Sequence, residues 1–243
     1  MTKIQQYSAL RYNGSDIQGT PGMETLQPCM TFIEPDAMMF WYPEGIGFLS
    51  CSTLVPYDKD YWLKYNSYRG SDIGKELTAG RLALAEEVIT ALQLKGAVNV
   101  SDILDIGIGS GEFVEAANCF GTDINPHAVE WLNTRGKLST IEKHTIISLW
   151  DVLEHIEDPE AVIGKANVVL TSLPIHESMT ACLASKHLRP GEHLWHFTDA
   201  GIKRFMSLLG FKHITTRDFE TRAGREGIAT YVFSKVNIRL ETN

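Results

Sequence analysis

Hydrophobic positions follow no sustained helical period over roughly the first fifty residues and become regular only after Asp58. The early part therefore predicts an irregular or short-stranded extension. From Leu82 to Leu92 the apolar residues recur at positions i, i+3, i+7 and i+10, which is typical of one face of a helix. Thr78 is the expected N-cap of this helix, and Gly96 lies where a glycine often follows the last turn.

Short apolar runs then alternate with segments that carry helix-start signals. Asn125 and Pro126 have the form of an N-cap followed by proline at the first helical position, and Thr198 is the expected cap of a later helix. Strands that alternate with helices are typical of a doubly wound, mostly parallel α/β sheet with helices on both faces. The predicted strands cover residues 100–106, 119–122, 145–149 and 168–173, and residues 211–217 and 228–236 are expected to close the sheet as an antiparallel pair.

Charge and composition narrow the classes of function. The 243 residues carry 30 acidic and 22 basic side chains, a formal net charge of −8, which argues against a protein that grips phosphate backbones through a general positive field. The four cysteines form no C-x-x-C pair, and no apolar run reaches the roughly 18 residues that a membrane helix needs. We therefore expect a reducing, cytoplasmic setting, one or two domains and no membrane insertion.

The most informative stretch runs from a predicted strand into a helix and places Asp105, Gly107, Gly109 and Gly111 at alternate positions. Glycines let the backbone turn sharply and let a ligand approach the main chain closely. A dinucleotide-binding fingerprint would need a third glycine where this chain has Glu112. Because a carboxylate is a poor neighbour for a pyrophosphate, the expected ligand is adenosine-like without phosphates at this turn. The alternative is a tight strand-to-helix turn that binds nothing.

Asp123 ends the next predicted strand, where an acid can accept hydrogen bonds from both ribose hydroxyls. The loop and this acid together resemble those of class I S-adenosylmethionine (SAM) dependent methyltransferases, and the resemblance extends over residues 58–236. It implies the Rossmann-like fold of that superfamily, with the glycine loop holding the methionine end of SAM and Asp123 the ribose. The residues expected to contact the cofactor are Asp105, Gly107, Ile108, Gly109, Gly111, Asp123, Ile124, Trp150, Asp151, Tyr68 and Arg69.

Asp151, Glu154 and His155 follow the strand that in this superfamily ends beside the transferred methyl group. Their spacing resembles the E-x-x-E-H pattern of ubiquinone-pathway O-methyltransferases, with Asp in place of the first Glu. A helix beginning at Asp151 would bring the three side chains onto one face. The resemblance then implies a divalent ion such as Mg²⁺, with these three residues as catalytic residues and metal ligands. Two alternatives remain open, a metal-free structural turn and His155 as a general base.

Two further segments are candidates for substrate or cofactor contact. The loop at 185–197 is rich in histidine, and the expected substrate contacts there are His187, His193, Trp195 and His196. A solvated, partly packed loop is the equal alternative. In similar methyltransferases the segment before the first helix folds over the cofactor, so we expect Tyr61 to pack and Tyr68 or Arg69 to contact the ligand.

Missing motifs bear on the methyl acceptor. The chain lacks the D/N-P-P-aromatic motif of base-modifying amino-methyltransferases after the third strand, and its one Pro-Cys pair, Pro28 and Cys29, lies far upstream. The sequence therefore favours a small-molecule acceptor of methyl groups at oxygen or nitrogen, with no DNA partner. An RNA methyltransferase and a non-catalytic SAM-binding protein are the alternatives. Residues 1–57 are expected to form an extension that caps the substrate, and residues 58–243 the methyltransferase domain.

Overall fold

The structure, a computed structural model, describes residues 28–34, 36–93 and 98–240. The strands in these ranges are β1 (Cys29–Glu34), β2 (Ala37–Tyr42), β3 (Ile46–Cys51), β4 (Leu104–Ile106), β5 (Phe120–Thr122), β6 (Ile146–Trp150), β7 (Val168–Pro174), β8 (Trp195–Phe197), β9 (Lys212–Arg217) and β10 (Ile228–Ser234). The α-helices are α1 (Lys59–Asn66), α2 (Asp72–Gln93), α3 (Glu112–Ala116), α4 (Pro126–Thr134), α5 (Pro159–Ile163), α6 (Met179–Leu183), α7 (Asp199–Leu208) and α8 (Phe219–Arg222). Short 3-10 turns lie at Val100–Asp102, Ile141–Lys143 and Leu153–His155.

A six-stranded sheet with the order β5-β4-β6-β7-β10-β9 forms the centre of the molecule. The pairs β4–β5, β4–β6 and β6–β7 are parallel, whereas β10 pairs antiparallel with both β7 and β9. Every residue of β6 and β7 is buried, as expected for parallel strands that are covered on both faces. The doubly wound α/β fold and its closing antiparallel pair are therefore confirmed.

The start of the long helix α2 differs from the prediction. Thr78 lies inside the helix, which begins at Asp72 because the Ser71 hydroxyl accepts a hydrogen bond from the Gly74 backbone N–H at 3.0 Å. Ser71 therefore satisfies one of the free N–H groups of the first turn, and this cap lies about three turns before the apolar stripe that begins at Leu82. The expected C-terminal glycine, Gly96, lies outside the described residues.

The other two predicted caps are confirmed. The Asn125 side chain accepts a hydrogen bond from the His127 N–H at 3.0 Å, with Pro126 in the first turn of α4. The Thr198 hydroxyl accepts from the Gly201 N–H at 2.9 Å at the start of α7. Both signals are local in sequence, so no distant contact had to be known to find them.

A second, antiparallel sheet has the order β1-β2-β3-β8 and joins the N-terminal extension to a distant segment. Strand β3 pairs with β8 through Phe48 opposite Trp195, Gly47 opposite His196 and Ile46 opposite Phe197. The loop predicted at residues 185–197 therefore ends in the strand β8, and the helix α6 precedes it. The expectation of short strands in the extension is met by β1 to β3, and residues 1–27 lie outside the described residues.

Aromatic packing fixes this second sheet onto the central one. The Trp195 ring lies 4.9 Å from Phe48 and 5.1 Å from Phe205 of α7, measured between ring centroids. Its indole N–H donates to the backbone oxygen of Ile156 at 2.8 Å, so the buried polar atom of this side chain is satisfied. In the described ranges, no helix is long and apolar enough to cross a membrane.

The contact between α7 and the turn that joins β2 to β3 offers a test of how the extension packs on the rest of the protein. A Cβ atom on Gly201 would lie 2.0 Å from the backbone oxygen of Gly45, which accepts a hydrogen bond from Thr198 at 2.8 Å. Gly201→Ala should therefore destabilise the protein by about 1–3 kcal/mol, although alanine favours helices. Urea denaturation measures the change. Ser207→Ala, at an exposed position of the same helix, should leave stability unchanged or raise it, and an equally neutral Gly201→Ala would contradict the docking.

Candidate functional site

Three turns meet at the carboxyl edge of the parallel strands. The chain runs from β4 outward to β5 and then returns to β6 on the opposite side of β4, so the strand order reverses there. In doubly wound sheets, ligands bind in the crevice that this reversal opens beyond the strand ends. The turn after β4 carries the three alternating glycines, Asp123 follows β5, and Asp151 follows β6.

The glycine loop is packed on one side and open on the other. Gly107, Gly109 and Gly111 have φ angles of 70°, 53° and 75°, a left-handed backbone that favours glycine. A Cβ atom on Gly107 would lie 2.6 Å from Val152, and one on Gly111 would lie 2.6 Å from the Trp131 ring. At Gly109 a Cβ atom would meet nothing within 4 Å. The loop therefore presents bare backbone to an open space at Gly109, which fits the close approach of a ligand.

Asp123 lies beside this open side of the loop. Its carboxylate accepts hydrogen bonds from the backbone N–H of Ile108 at 2.9 Å and of Asn125 at 2.8 Å, one on each oxygen. Each oxygen keeps a second acceptor position, which is what two ribose hydroxyls require. The neighbouring Ile124 is 75% exposed and offers an apolar face at the same edge. These residues fit the ribose and adenine parts of SAM.

Asp105 lies beneath the loop and is only 1% exposed. The Ser148 hydroxyl donates to its Oδ1 at 2.6 Å, whereas Oδ2 has no hydrogen-bond partner among the described residues. Burial raises the pKa of Asp105 to about 7. A donor from a bound ligand would satisfy Oδ2, so the orphaned oxygen fits the predicted role of Asp105 at the methionine end.

The segment before α2 closes on the far end of the loop. Glu112 accepts from the Gly70 N–H at 2.7 Å and from the Ser110 hydroxyl at 3.2 Å. Arg69 donates to the backbone oxygen of Ser110 at 2.6 Å, and Tyr68 is 55% exposed. The Glu112 carboxylate, which disfavours a dinucleotide at this loop, thus has a structural role, because it holds the turn at Gly70 against the loop. Arg69 contacts the loop itself, and Tyr68 remains open to a ligand.

A four-residue ion network lies behind the turn after β6. Asp151 Oδ2 accepts from Arg225 at 2.6 Å and from Arg81 at 3.4 Å, and both arginines also contact the fully buried Glu220. Burial alone would lower the pKa of Arg225, but the two carboxylates raise it instead. The Arg81 guanidinium lies 5.0 Å from the Trp150 ring centroid. Sequence reasoning missed these arginines and Glu220 because they come from two segments that are both far from Asp151 in sequence.

The predicted helix at Asp151 does not form. Asp151 has a φ angle of 57°, and only a 3-10 turn follows at Leu153–His155. The chain therefore does not place Asp151, Glu154 and His155 on one helical face, and the ion network occupies Asp151. His193 takes the third place instead, since ligand atoms of Glu154, His155 and His193 lie within 4.8 Å of one another.

These three residues do not fit a magnesium ion. Mg²⁺ prefers an octahedron of oxygen ligands, and the group offers two imidazoles and a single carboxyl group. Glu154 is 1% exposed, and neither of its carboxyl oxygens has a hydrogen-bond partner among the described residues. Burial and the nearby charge of Asp151 raise its pKa well above the usual range, which favours a neutral carboxylic acid. No chemical step is therefore assigned to Mg²⁺.

His155 forms the centre of a polar cluster with residues on and before α1. The Tyr57 hydroxyl lies 3.3 Å from His155 Nδ1, and the His193 ring lies 4.7 Å away in a T-shaped arrangement. Burial lowers the pKa of His155, so its imidazole is neutral at pH 7. Tyr61 packs against Tyr57 at 4.8 Å between ring centroids, as expected from the sequence.

A carboxylate anchors the same tyrosines. The hydroxyls of Tyr61 and Tyr65 each donate to Glu192 Oε1 at 3.4 Å, and Arg189 donates to the same oxygen at 3.4 Å. The tyrosines of this segment thus face the histidine cluster. Sequence reasoning could have paired Tyr61 with Tyr65 from their i, i+4 spacing, which places the two rings on one helical face, whereas Tyr57 precedes the helix.

The expected substrate contacts divide into two groups. Trp195 and His196 are each 1% exposed, because the pairing of β8 with β3 places both in the interior, so neither presents a surface to a substrate. His193 is also buried but lies against His155. His187 is half-buried, with Nε2 3.1 Å from the backbone oxygen of Glu226. His187 and His193 therefore remain candidates for substrate contact.

A family model described as a methyltransferase domain matches residues 77–216. The chain is similar to the structure of magnesium protoporphyrin IX methyltransferase from Synechocystis with bound SAH, at 17% identity and a TM-score of 0.47, over 73% of this chain and 94% of that one. It is also similar to 1,6-didemethyltoxoflavin-N1-methyltransferase from Burkholderia thailandensis, at 14% identity and a TM-score of 0.39, over 86% of this chain and 99% of that one. No curated protein sequence matches the chain.

The assignment of Asp123 can be tested by titration calorimetry with S-adenosylhomocysteine. Asp123→Ala removes two acceptors for the ribose hydroxyls, and hydrogen bonds to a charged group contribute roughly 1.5–3 kcal/mol each, so affinity should fall at least about 100-fold. Asp123→Asn keeps one acceptor oxygen and should bind with intermediate affinity. Glu130→Ala removes an exposed acid from the next helix and should bind like the unaltered protein. Unchanged affinity in Asp123→Ala would refute the ribose site.

Proposed function

The chain belongs to the methyltransferase-domain family and is a SAM-dependent methyltransferase, and on that premise we propose that it methylates an oxygen or nitrogen atom of a small molecule. The observation that carries this proposal is the covered position of His155. The His155 side chain is 11% exposed, and Tyr57 lies directly against it. A small acceptor suits such a covered site better than a nucleic acid, whose backbone needs an open channel.

The charges near the site support the same acceptor class. Arg81 and Arg225 lie close to residues 151–155 after β6, the reaction turn, but each is paired with Asp151 and Glu220. Two cations are thus matched by two anions, and neither arginine is left to neutralise a phosphate. A nucleic-acid substrate would instead require unpaired cations along its path. This pairing favours a small-molecule acceptor over RNA.

The roles of the cofactor residues follow from the site. When bound, SAM supplies an electrophilic methyl group on a sulfonium. The open backbone at Gly109 and the unpaired Asp105 Oδ2 would hold the methionine end, and Asp123 would accept the ribose hydroxyls. Ile124 would cover the adenine. The protein's contribution is mainly alignment and the exclusion of water, since the leaving group is already good.

His155 is proposed as the base that removes the proton of the acceptor. Its lowered pKa leaves the imidazole unprotonated at neutral pH, which a base requires. Tyr57 orients the ring through the contact at Nδ1, and the neutral Glu154 adds no competing charge. His193 packs against the His155 ring in a T-shaped arrangement and is proposed to contact the acceptor together with His187.

The N-terminal extension is proposed to cap the substrate. Leu49 of β3 donates its N–H to the Leu194 oxygen at 2.7 Å, and the Leu194 N–H donates to the Glu154 oxygen at 2.8 Å. Two hydrogen bonds therefore connect the extension with the turn that carries His155. Through this connection, the extension can set the depth of the substrate pocket.

The acceptor class can be tested with radiolabelled SAM and a fractionated extract of the host cell. Label should enter a low-mass fraction and resist nuclease and protease, because the covered site admits a small acceptor. Asp123→Ala, which should bind SAM poorly, is the control for background labelling. Label that is released by ribonuclease would replace this proposal with an RNA methyltransferase. If the protein binds SAH but labels no fraction of the extract, the result would favour a non-catalytic role.

The role of His155 predicts the pH dependence of turnover of that labelled fraction. Activity should be present above the pKa of His155 and be lost as the pH falls through it. Because burial lowers this pKa, the pH of half-maximal rate should lie below the usual histidine value of about 6.5. His155→Ala should lower kcat by roughly 100-fold or more and abolish the acidic limb. His213→Ala, at an exposed histidine, should retain both. A profile with the same limb in His155→Ala would exclude His155 as the base.

A further inference from the structure

A second cluster of histidines lies inside the molecule, apart from the group around His155. His176, Cys182 and His196 are all buried, and one ligand atom from each lies within 4.8 Å of the other two. His196 lies in the interior and presents no surface to a substrate, and neither His176 nor Cys182 takes part in the proposed methyl transfer. Their chemistry is that of a metal site, since two imidazoles and a thiol converge on one point.

Three separate elements bring the cluster together. His176 follows β7, and its N–H donates to the Phe197 oxygen at 2.8 Å, so the end of β7 lies beside β8 and its residue His196. Ser178 caps the short helix α6 by accepting from the Ala181 N–H at 3.2 Å. The helix then returns Cys182 to the two histidines. The arrangement is thus built by strand pairing and a capped turn.

The histidines have ring nitrogens that nothing in the described part of the chain satisfies. His176 Nε2 and His196 Nε2 are buried and have no hydrogen-bond partner there. The backbone of His193 hydrogen-bonds the His196 ring, which fixes the ring and leaves Nε2 as the free atom. An unpaired buried polar atom is costly, by roughly 1–3 kcal/mol, and two such atoms beside one thiol point to a shared ligand.

The protonation states suit a metal ion. Burial lowers the pKa of His176 to about 4 and that of His196 to about 3, so both imidazoles are neutral and have a lone pair at pH 7. Burial raises the pKa of the Cys182 thiol to about 12, and a bound cation would offset this by stabilising the thiolate. Cys182 forms no disulfide.

We propose that His176, Cys182 and His196 bind a zinc ion that fastens α6 to the ends of β7 and β8. Two nitrogen ligands and one sulfur ligand match zinc and exclude magnesium and calcium, which take oxygen ligands. In a tetrahedral zinc site the nitrogen and sulfur ligand atoms lie roughly 3.5 Å from one another, so side-chain movements of about 1 Å would close the site. Three protein ligands leave the fourth position for a non-protein ligand.

Metal titration of the full chain tests the proposal. The chelator-treated protein should bind one equivalent of Zn²⁺ per chain in competition with a chromophoric chelator, and Zn²⁺ should raise the melting temperature. Co²⁺ in its place should give a thiolate-to-cobalt charge-transfer band, which reports sulfur ligation directly. Cys182→Ser should lose this band and bind Zn²⁺ at least about 100-fold more weakly.

Two matched variants separate this cluster from other thiols and histidines. Cys119→Ser alters an equally buried cysteine elsewhere and should keep the cobalt band and the zinc affinity. His193→Asn alters the group around His155 and should also keep both. Absence of stoichiometric zinc binding, a cobalt spectrum without the thiolate band, or loss of binding in His193→Asn but not in Cys182→Ser would each overturn the proposal. Because the cobalt spectrum of the unaltered chain is decisive, a Cys182→Ser protein that fails to fold does not weaken the test.

Discussion

The pairing of β3 with β8 is the interaction on which both polar clusters depend. Three residue pairs join the N-terminal extension to residues 195–197, and no other strand covers that edge of β3 in the described structure. The pairing needs Gly47, since a Cβ atom there would lie 2.6 Å from the Trp41 ring and 3.2 Å from the His196 Cβ. A close approach of the two strands therefore orders a segment that would otherwise be an exposed, histidine-rich loop.

Alternation along β8 then distributes its side chains to opposite faces. Trp195 and Phe197 lie on the face that packs against α7, within the core that also contains Phe48. His196 points to the other face, where Cys182 packs with the apolar residues of β2 and β3. Because side chains of a strand alternate with a period of two residues, one strand can bury a tryptophan for stability and a histidine for ligand binding. Just before β8, the Leu194 N–H donates to the Glu154 oxygen, and the adjacent His193 packs against His155 in the reaction turn.

Local patterns were predictable, and long-range pairings were not. Asn125, Thr198 and the alternating glycines act on backbone atoms within a few residues of themselves, so their roles can be read from the chain. The start of α2 was misjudged because the Ser71 cap precedes the regular apolar stripe. The strand β8, the ion network of Arg81 and the contact of His193 with His155 all depend on residues far apart in sequence. Their patterns, a short polar loop and isolated charges, are the same as those of solvated surface.

The balance of charge around the reaction turn is consistent with transfer of a methyl group from a cationic donor. Asp151 and Glu220 are neutralised by Arg81 and Arg225, and the raised pKa of Glu154 keeps its buried carboxyl group uncharged. Burial keeps the histidines neutral as well. When a base removes the acceptor's proton, attack of an anionic nucleophile on a sulfonium cancels two opposite charges, and surroundings of low dielectric constant favour a step that cancels charge. The balanced charges around the reaction turn therefore assist the reaction, whereas unpaired carboxylates beside the sulfonium would bind the cation more tightly in the ground state than in the transition state.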